Sequence, residues 1–143
     1  MTTYVVDASV AARFLLTEEW SDRAVSLLES FSEGIIDLKA PRLVDSEVGN
    51  TLWKATRTRR VSVQDASNKL FTFLKLKLGS IELSNEECKD ALTWGAKNDA
   101  TFYDSVYVIA SKKSGAALLT ADTVLYEKAS KHVTAVHLRD LPM

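Results

Sequence analysis

Two aspartates in this sequence directly follow short apolar runs that have the composition of buried strands. Asp7 comes after Val5 and Val6, and Asp122 ends the segment Leu-Leu-Thr-Ala-Asp. Ligands of open α/β sheets bind outside the carboxyl ends of the strands. If both runs form parallel strands of one sheet, the two carboxylates lie at the same edge of that sheet.

Two further acids stand where their charge would be partly withdrawn from water. Asp104 opens the most apolar helical segment of the chain, and Glu47 falls beside the apolar stripe of another predicted helix. That stripe is predicted to be Val44, Val48, Thr51 and Ala55. A carboxylate in this position needs a partner to offset its desolvation, and no basic residue lies one helical turn from Glu47. A divalent cation would supply the missing charge.

The chemistry of the four acids suits a hard metal ion. Carboxylate oxygens alone favour Mg²⁺ or Mn²⁺ over Zn²⁺. Two such ions, about 3.5–4 Å apart, can activate water and stabilise the leaving oxygen in phosphodiester hydrolysis. The sequence has no glycine-rich phosphate loop, no Cys-x-x-Cys pair and no His-Glu-x-x-His motif. His132 and His137 lie away from the acidic segments in sequence, so we expect surface or half-buried positions for them and no catalytic role.

Each acid also has a simpler interpretation. Asp7, Asp104 and Asp122 precede or open predicted helices, where aspartate is a favoured cap. The side chain of Glu47 could extend to solvent. A shared metal site is nevertheless favoured, because it explains at once why all four acids fall at one end of one predicted sheet.

The elements that would position these acids are visible as apolar runs and helix-start signals. The predicted strands are residues 4–6, 35–38, 117–119 and 133–136, with residues 81–83 as a further candidate. The predicted helices include residues 20–31 and 43–58, one starting after Ser62, one starting after Ser84, and a buried one around residues 106–110. Alternating strands and helices predict an α/β fold: a three-layer sandwich with a short parallel sheet flanked by helices, forming a single domain over residues 1–143.

The bulk composition is that of an ordinary globular protein. Of the 143 residues, 46% are hydrophobic and 26% are charged. The formal net charge of -1 gives no overall attraction to nucleic acid, so any RNA binding requires a local basic patch. The single cysteine, Cys88, excludes an internal disulfide and suits a reducing compartment. No signal peptide or bilayer-spanning apolar run is visible, so we expect a soluble, cytoplasmic protein that does not associate with membranes.

Basic residues that could contact RNA phosphates are few. The densest cluster is Lys54, Arg57, Arg59 and Arg60, at the end of the predicted helix that carries Glu47. Cations there also complement the helix C-terminus, and this second interpretation is favoured. Arg13, shortly after Asp7, is a weaker candidate for phosphate binding.

The acidic segments resemble the PIN domain family and, within it, the VapC-type toxins of prokaryotic toxin–antitoxin pairs. The matching stretches are Val5-Val6-Asp7-Ala8-Ser9-Val10, the helix around Glu47, Phe102-Tyr103-Asp104-Ser105-Val106-Tyr107-Val108-Ile109-Ala110 and Leu118-Leu119-Thr120-Ala121-Asp122. The resemblance implies a Mg²⁺- or Mn²⁺-dependent endoribonuclease that forms a homodimer and is inhibited by a small VapB-like antitoxin.

Carried over position by position, the resemblance implies that Asp7, Glu47, Asp104 and Asp122 are the catalytic and metal-binding acids. It also implies that the hydroxyls of Ser9 and Thr120 support the first and last aspartates.

Two other functions are alternatives to an endoribonuclease. A non-catalytic interaction module would retain the fold, but the intact set of acids argues against a decayed site. An aspartyl-phosphate phosphatase usually has a second acid two residues after its nucleophile, and Ser9 occupies that position here.

Overall fold

The computed structural model describes residues 1–142, in which strands and helices alternate. The strands are β1 (Thr2–Val6), β2 (Ile36–Ala40), β3 (Gly79–Ser80), β4 (Ala117–Thr120) and β5 (Ala135–His137). The helices are α1 (Ala8–Ala12), α2 (Ser21–Ser32), α3 (Leu43–Arg57), α4 (Val63–Lys75), α5 (Asn85–Asn98), α6 (Phe102–Ser114) and α7 (Thr123–Ala129), with a final 3-10 turn at Leu138–Asp140. The predicted α/β class with a short parallel sheet is confirmed.

The sheet has five parallel strands in the order β3-β2-β1-β4-β5. The chain therefore adds strands on one side of β1 and later returns to add β4 and β5 on the other side. Such a reversal of strand order opens a crevice outside the carboxyl ends of the two central strands. In this protein that crevice lies beyond β1 and β4, which end just before Asp7 and Asp122.

Local capping explains where several helices begin. Ser62 caps α4 by accepting from the Asp65 amide, and Ser84 forms a full capping box with Glu87 at the start of α5. Both starts agree with the prediction. The alternative interpretation of Asp104 as an opening cap is wrong, because Thr101 caps α6 and accepts from the Asp104 amide at 3.0 Å.

Two further sequence predictions need correction. The third strand is Gly79–Ser80 and not residues 81–83, since this short edge strand is defined by backbone pairing with β2 and not by apolar side chains. In α3 the fully buried stripe contains Leu52 where Thr51 was predicted. Thr51 is only half-buried, and its hydroxyl donates to the Glu47 carbonyl oxygen at 3.0 Å.

Helix α6 is the central helix, as its apolar sequence predicts. Seven consecutive residues are buried, from Ser105 to Ser111, and the helix packs against α5, β1 and β4. This burial fixes the first turn of α6 next to the carboxyl edge of the sheet. Among residues 1–142, no helix is both long and apolar enough to cross a membrane.

Candidate active site

The Asp7 carboxylate accepts three hydrogen bonds at the end of β1. Its side chain is only 5% exposed. One carboxylate oxygen accepts from the Ser9 hydroxyl at 2.6 Å and from the Val10 amide at 3.2 Å, which caps α1. The other accepts from the Thr120 hydroxyl at 2.5 Å. The carboxylate orientation is therefore fixed by two strands and one helix.

The same two hydroxyls also join the loops that follow β1 and β4. The Ser9 oxygen accepts from the Ala121 amide at 2.8 Å, and the Thr120 oxygen accepts from the Asp122 amide at 3.0 Å. Each hydroxyl thus receives a backbone proton and donates its own to Asp7. Ser9 thus lies against the aspartate that the resemblance implied, Asp7. Thr120 differs from the expectation, because its hydroxyl donates to Asp7 and contacts only the backbone amide of Asp122, not its carboxylate.

Burial makes ionisation of Asp7 unfavourable. Desolvation is the largest effect and raises the pKa of Asp7 to about 6, although the hydrogen bonds from Ser9, Thr120 and Val10 oppose it. The nearby charge of Asp104 raises the pKa further. Asp7 is therefore a carboxylate whose negative charge is poorly compensated within the protein.

Asp104 connects the remaining acids to Asp7. It lies in the first turn of α6 and is half-buried. Burial raises the pKa of Asp104 most, followed by the negative charges of Asp122 and Glu47, while the hydrogen bond with Thr101 and then the charge of Lys128 lower it. Asp104 is therefore within electrostatic reach of Asp7, Asp122 and Glu47, which come from separate parts of the chain.

Asp122 combines the two interpretations that the sequence left open. It caps α7, because one carboxylate oxygen accepts from the Val124 and Leu125 amides at 2.9 and 3.1 Å. The residue is nevertheless exposed at the carboxyl edge of the sheet. An N-cap role and a place in the acidic cluster are therefore compatible.

Glu47 has a partner that the sequence analysis missed. The hydroxyl of Tyr107 donates to a Glu47 carboxylate oxygen at 2.7 Å. Tyr107 is 1% exposed, and burial together with Glu47 holds the pKa of its hydroxyl well above the usual range, so it stays a proton donor. The signal was its position three residues after Asp104, which puts both side chains on adjacent parts of one helix face.

The donor chemistry of this cluster fits a hard divalent cation. Every candidate ligand is a carboxylate oxygen, and the mutual repulsion of the acids would be relieved by positive charge. No three acidic, histidine or cysteine side chains of residues 1–142 converge closely enough to hold a metal by themselves. Mg²⁺ is usually held by one or two carboxylates together with water and substrate phosphate, so this arrangement fits such a site. Direct ligation by all four acids stays a prediction.

The three basic residues predicted to contact RNA, Arg13, Lys54 and Arg57, lie in different surroundings. The Arg13 guanidinium donates to the carbonyl oxygens of Ser9 and Glu19 at 2.7 and 2.8 Å, so it braces the loop after α1. Arg57 lies over the Trp53 ring at the exposed end of α3. Lys54 and Glu47 line the same cavity, and neither Arg13 nor Arg57 lines it.

The predicted surface or half-buried position of His137 was wrong. Its side chain is fully buried and not half-exposed, and its ring contacts Thr123 directly after Asp122. Nδ1 accepts from the Arg139 amide at 3.1 Å, so Nε2 carries the proton and donates to the Thr123 hydroxyl at 3.1 Å. Both nitrogens are engaged, which assigns the ring a structural role. His132 is exposed, as expected.

Comparison with known proteins gives consistent results. The sequence model of the PIN domain matches residues 4–131. Ribonuclease VapC3 of Pyrobaculum aerophilum is 37% identical over 134 residues, which cover 91% of this chain and 97% of that protein.

Solved structures show the same architecture. The crystal structure of PAE2754 from Pyrobaculum aerophilum has a TM-score of 0.72 and 25% identity, covering 96% of this chain and 90% of that one. VapBC2 from Rickettsia felis, solved with a DNA fragment from its promoter, has a TM-score of 0.68. At 13% identity, over 95% of this chain and 98% of that chain, it shows the fold alone.

Proposed function

Because the chain belongs to the PIN domain family, we propose that it is a divalent-metal-dependent endoribonuclease, the toxin of a VapBC-type toxin–antitoxin pair. The observation that carries the proposal is the fixed carboxylate of Asp7 at the end of β1, with the charge of Asp104 within electrostatic reach of Asp7, Asp122 and Glu47. The 37% identity to a ribonuclease over nearly the whole chain supports the same reaction class.

The residues of the chain divide the work of such a site. Asp7 is rigidly oriented by Ser9 and Thr120, so it can hold a ligand in one fixed direction. Glu47 is oriented by the hydroxyl of the buried Tyr107. Asp122 presents its carboxylate at the open edge, where substrate enters.

We assign the four acids as the residues that would hold Mg²⁺ or Mn²⁺, with water and substrate phosphate completing the coordination. The chemistry that such an ion supplies, when bound, is activation of water for attack on a phosphodiester and stabilisation of the leaving oxygen. Since the acids repel one another without a cation, the cluster has little affinity for an RNA phosphate by itself. Lys54, and more weakly Arg57 and Arg13, are assigned to the RNA backbone.

The proposal extends to partners and location. A small VapB-like antitoxin is assigned as the inhibitor, because an accessible anionic cluster in a toxin of this type needs to be silenced while the cell grows. We also propose that the protein acts as a homodimer in the cytoplasm, where RNA is available and a free Cys88 is stable.

The test is RNA cleavage with Mg²⁺, Mn²⁺ or chelator. Asp7→Asn, Glu47→Gln, Asp104→Asn and Asp122→Asn are each expected to reduce activity by at least about a hundredfold, because each removes a charge from the metal site. Asp90→Asn, which changes an exposed acid of α5, is the matched control and should cleave normally. Full activity in chelator, or in two of the four variants, would refute the mechanism.

The two other functions give different results in this assay. An interaction module would bind its partner and leave RNA intact under every metal condition. A phosphatase would release phosphate from small phosphoesters. The phosphatase function conflicts with Ser9, which occupies the position of the second acid of such enzymes. Its hydroxyl is already bonded to Asp7 and to the Ala121 amide.

A further inference from the structure

A cavity of about 370 Å³ lies directly against Glu47 and is lined mainly by one face of α3. Residues 47, 50, 51 and 54 recur at the spacing that places side chains on the same face of a helix. The lining residues are Ala8, Leu43, Ser46, Glu47, Asn50, Thr51, Lys54 and Tyr103. The cavity therefore joins the acidic cluster at Glu47 and extends from it toward the C-terminal part of α3.

Several polar groups of this cavity have no partner inside the protein. Thr51 is satisfied, since its hydroxyl donates to the Glu47 carbonyl oxygen. Within residues 1–142 the Asn50 amide and the Ser46 hydroxyl make no hydrogen bond, and the Lys54 ammonium makes no ion pair. These side chains are exposed to solvent and available to a ligand.

An aromatic ring completes the wall opposite α3. Tyr103 precedes Asp104 and is 56% exposed, although one edge of its ring meets Phe102 at a centroid distance of 6.4 Å. A half-exposed ring beside a polar cavity offers a flat surface for stacking. Stacking of bases on aromatic side chains is a principal source of binding to single-stranded nucleic acid.

We propose that this cavity binds the base of a nucleotide next to the phosphate that is cleaved in single-stranded RNA, a proposal that rests on the proposed ribonuclease function. Tyr103 stacks on the base, and the Asn50 amide, which has both donors and an acceptor, reads its hydrogen-bonding edge. Lys54 binds a neighbouring phosphate. The cavity thus selects the nucleotide, while the acids at Glu47 act on its phosphodiester.

The three kinds of free group favour a nucleotide over a peptide as the occupant. A ring surface, an unpaired amide and an unpaired ammonium match the face of a base, the edge of a base and a phosphate, respectively. A peptide could also contact the ring and the amide, but a nucleotide supplies the base face, the base edge and the phosphate within one unit. Base recognition at this position would give the enzyme a preferred cleavage sequence.

The experiment measures cleavage of a single-stranded RNA pool with randomised positions around the cut site. Wild type is expected to prefer particular bases at one position, and Asn50→Ala to reduce that preference about tenfold, which is typical of a lost bidentate contact. Tyr103→Ala should raise the KM for RNA above that of wild type. Tyr103→Phe keeps the ring, so its KM should equal that of wild type. Asn68→Ala is the matched control: an exposed asparagine within α4 whose recorded contact is the Gln64 side chain, and it should behave as wild type.

Binding of a fluorescent oligoribonucleotide in chelator is measured in parallel, because it separates base binding from cleavage. Weaker oligonucleotide binding by Asn50→Ala than by Asn68→Ala supports base binding in the cavity, whether or not wild type cleaves RNA. Absence of RNA cleavage by wild type would refute only the proposed function. Unchanged preference and unchanged binding in Asn50→Ala would overturn the inference. Unchanged RNA behaviour with weaker inhibition by the antitoxin would also overturn it, and would assign the cavity to a peptide.

Discussion

Asp7 carries the largest electrostatic penalty of the acids in this protein. Its folded pKa of about 6 lies above the ordinary value of 3.8 because the carboxyl is buried. Between these two values the unfolded chain releases its proton while the folded protein keeps it, so the folded state loses stability as pH rises. Above about pH 6 the loss is complete and constant.

This linkage predicts a measurable pH dependence. Without metal, Asp7 should lower the free energy of unfolding by about 3 kcal/mol between roughly pH 4 and pH 6, given that one pKa unit corresponds to about 1.4 kcal/mol. Asp7→Asn should remove most of this slope, because asparagine does not titrate in this pH range. The Ser9 and Thr120 hydroxyls can rotate to accept from the amide, so the variant should still fold. Urea denaturation at several pH values measures the effect.

The control for this experiment is Asp90→Asn, an exposed position where the wild-type slope should persist. An equally steep fall of stability in Asp7→Asn would show that other groups control the pH dependence. Saturating Mn²⁺ should reduce the loss of unfolding free energy above pH 6, since a bound cation stabilises the ionised carboxylate of Asp7.

Tyr107 provides a second test at the level of single residues. Tyr107→Phe keeps the buried ring but removes the hydroxyl that orients Glu47. We expect Mn²⁺ affinity and RNA cleavage to fall about 10- to 100-fold, as is usual when a residue supporting a metal ligand is lost. Calorimetric titration with Mn²⁺ measures the affinity directly.

Tyr126→Phe is the matched control, because Tyr126 is half-buried beside His137 and its ring contact does not involve the acids. If Tyr107→Phe bound Mn²⁺ as tightly as this control, the hydroxyl would have only a structural role.

Residue types could be predicted better than residue contacts. The positions of Asp7 and Asp122 at strand ends followed from short apolar runs that end at a carboxylate. The bond between Tyr107 and Glu47 joins residues 60 positions apart. The spacing from Asp104 places Tyr107 on the relevant face of α6, but nothing in either local segment identifies Glu47 as its partner. Long-range pairing of this kind depends on how α3 and α6 are placed by the rest of the fold.

At the scale of elements, helix starts were predicted well because capping is local. Ser62 and Ser84 carry their signals within four consecutive residues. The short strand Gly79–Ser80 could not be recognised, since its pairing with Lys39 and Ala40 is a backbone interaction at the sheet edge. Apolar content favoured residues 81–83 instead, where Ile81 is buried without being part of the strand.

Close packing between α5 and α6 depends on a glycine. A Cβ on Gly95 would lie 2.6 Å from the Ser105 hydroxyl and 2.8 Å from the Ala100 carbonyl oxygen. Gly95→Ala should therefore destabilise the protein by about 1–3 kcal/mol, since a backbone atom must shift. Because α6 carries Asp104, we also expect weaker Mn²⁺ binding.

Gly49→Ala in α3 is the matched control, with only a Leu70 methyl group at 4.0 Å from the added Cβ. It should stabilise the protein by up to about 1 kcal/mol through helix propensity. Thermal unfolding of both variants measures the difference. Equal stability of the two variants would show that α5 and α6 tolerate a larger separation.

At the scale of the whole molecule, the fold class followed from the alternation of strands and helices, but the strand order did not. The order β3-β2-β1-β4-β5 places the first and fourth strands side by side, although more than a hundred residues separate Tyr4 from its partner Ala117. This pairing is what brings Asp7 and Asp122 to one crevice. The site therefore depends on a strand order that the sequence patterns are compatible with but do not predict.

The charge distribution of the whole molecule also bears on the proposed antitoxin. The formal net charge is only -1, but negative charges repel one another around Asp104, where the charge of Lys128 is the smallest of the effects on the Asp104 pKa. An arginine is well suited to such a site, because its guanidinium can bind two carboxylate oxygens at once. We therefore expect the antitoxin to inhibit by placing a basic side chain among these acids.

The prediction is tested with the antitoxin and with a variant in which every basic residue of its C-terminal tail is replaced by alanine. The variant should inhibit RNA cleavage at least about tenfold less at equal occupancy, since bonds to charged groups contribute about 1.5–3 kcal/mol. Asp122→Asn should weaken binding of the natural antitoxin in the same way, because asparagine keeps the cap of α7 but removes the exposed charge. Asp90→Asn should bind it normally. Equal inhibition by the neutralised tail would mean that the antitoxin blocks the crevice by its bulk, with no basic side chain among the acids.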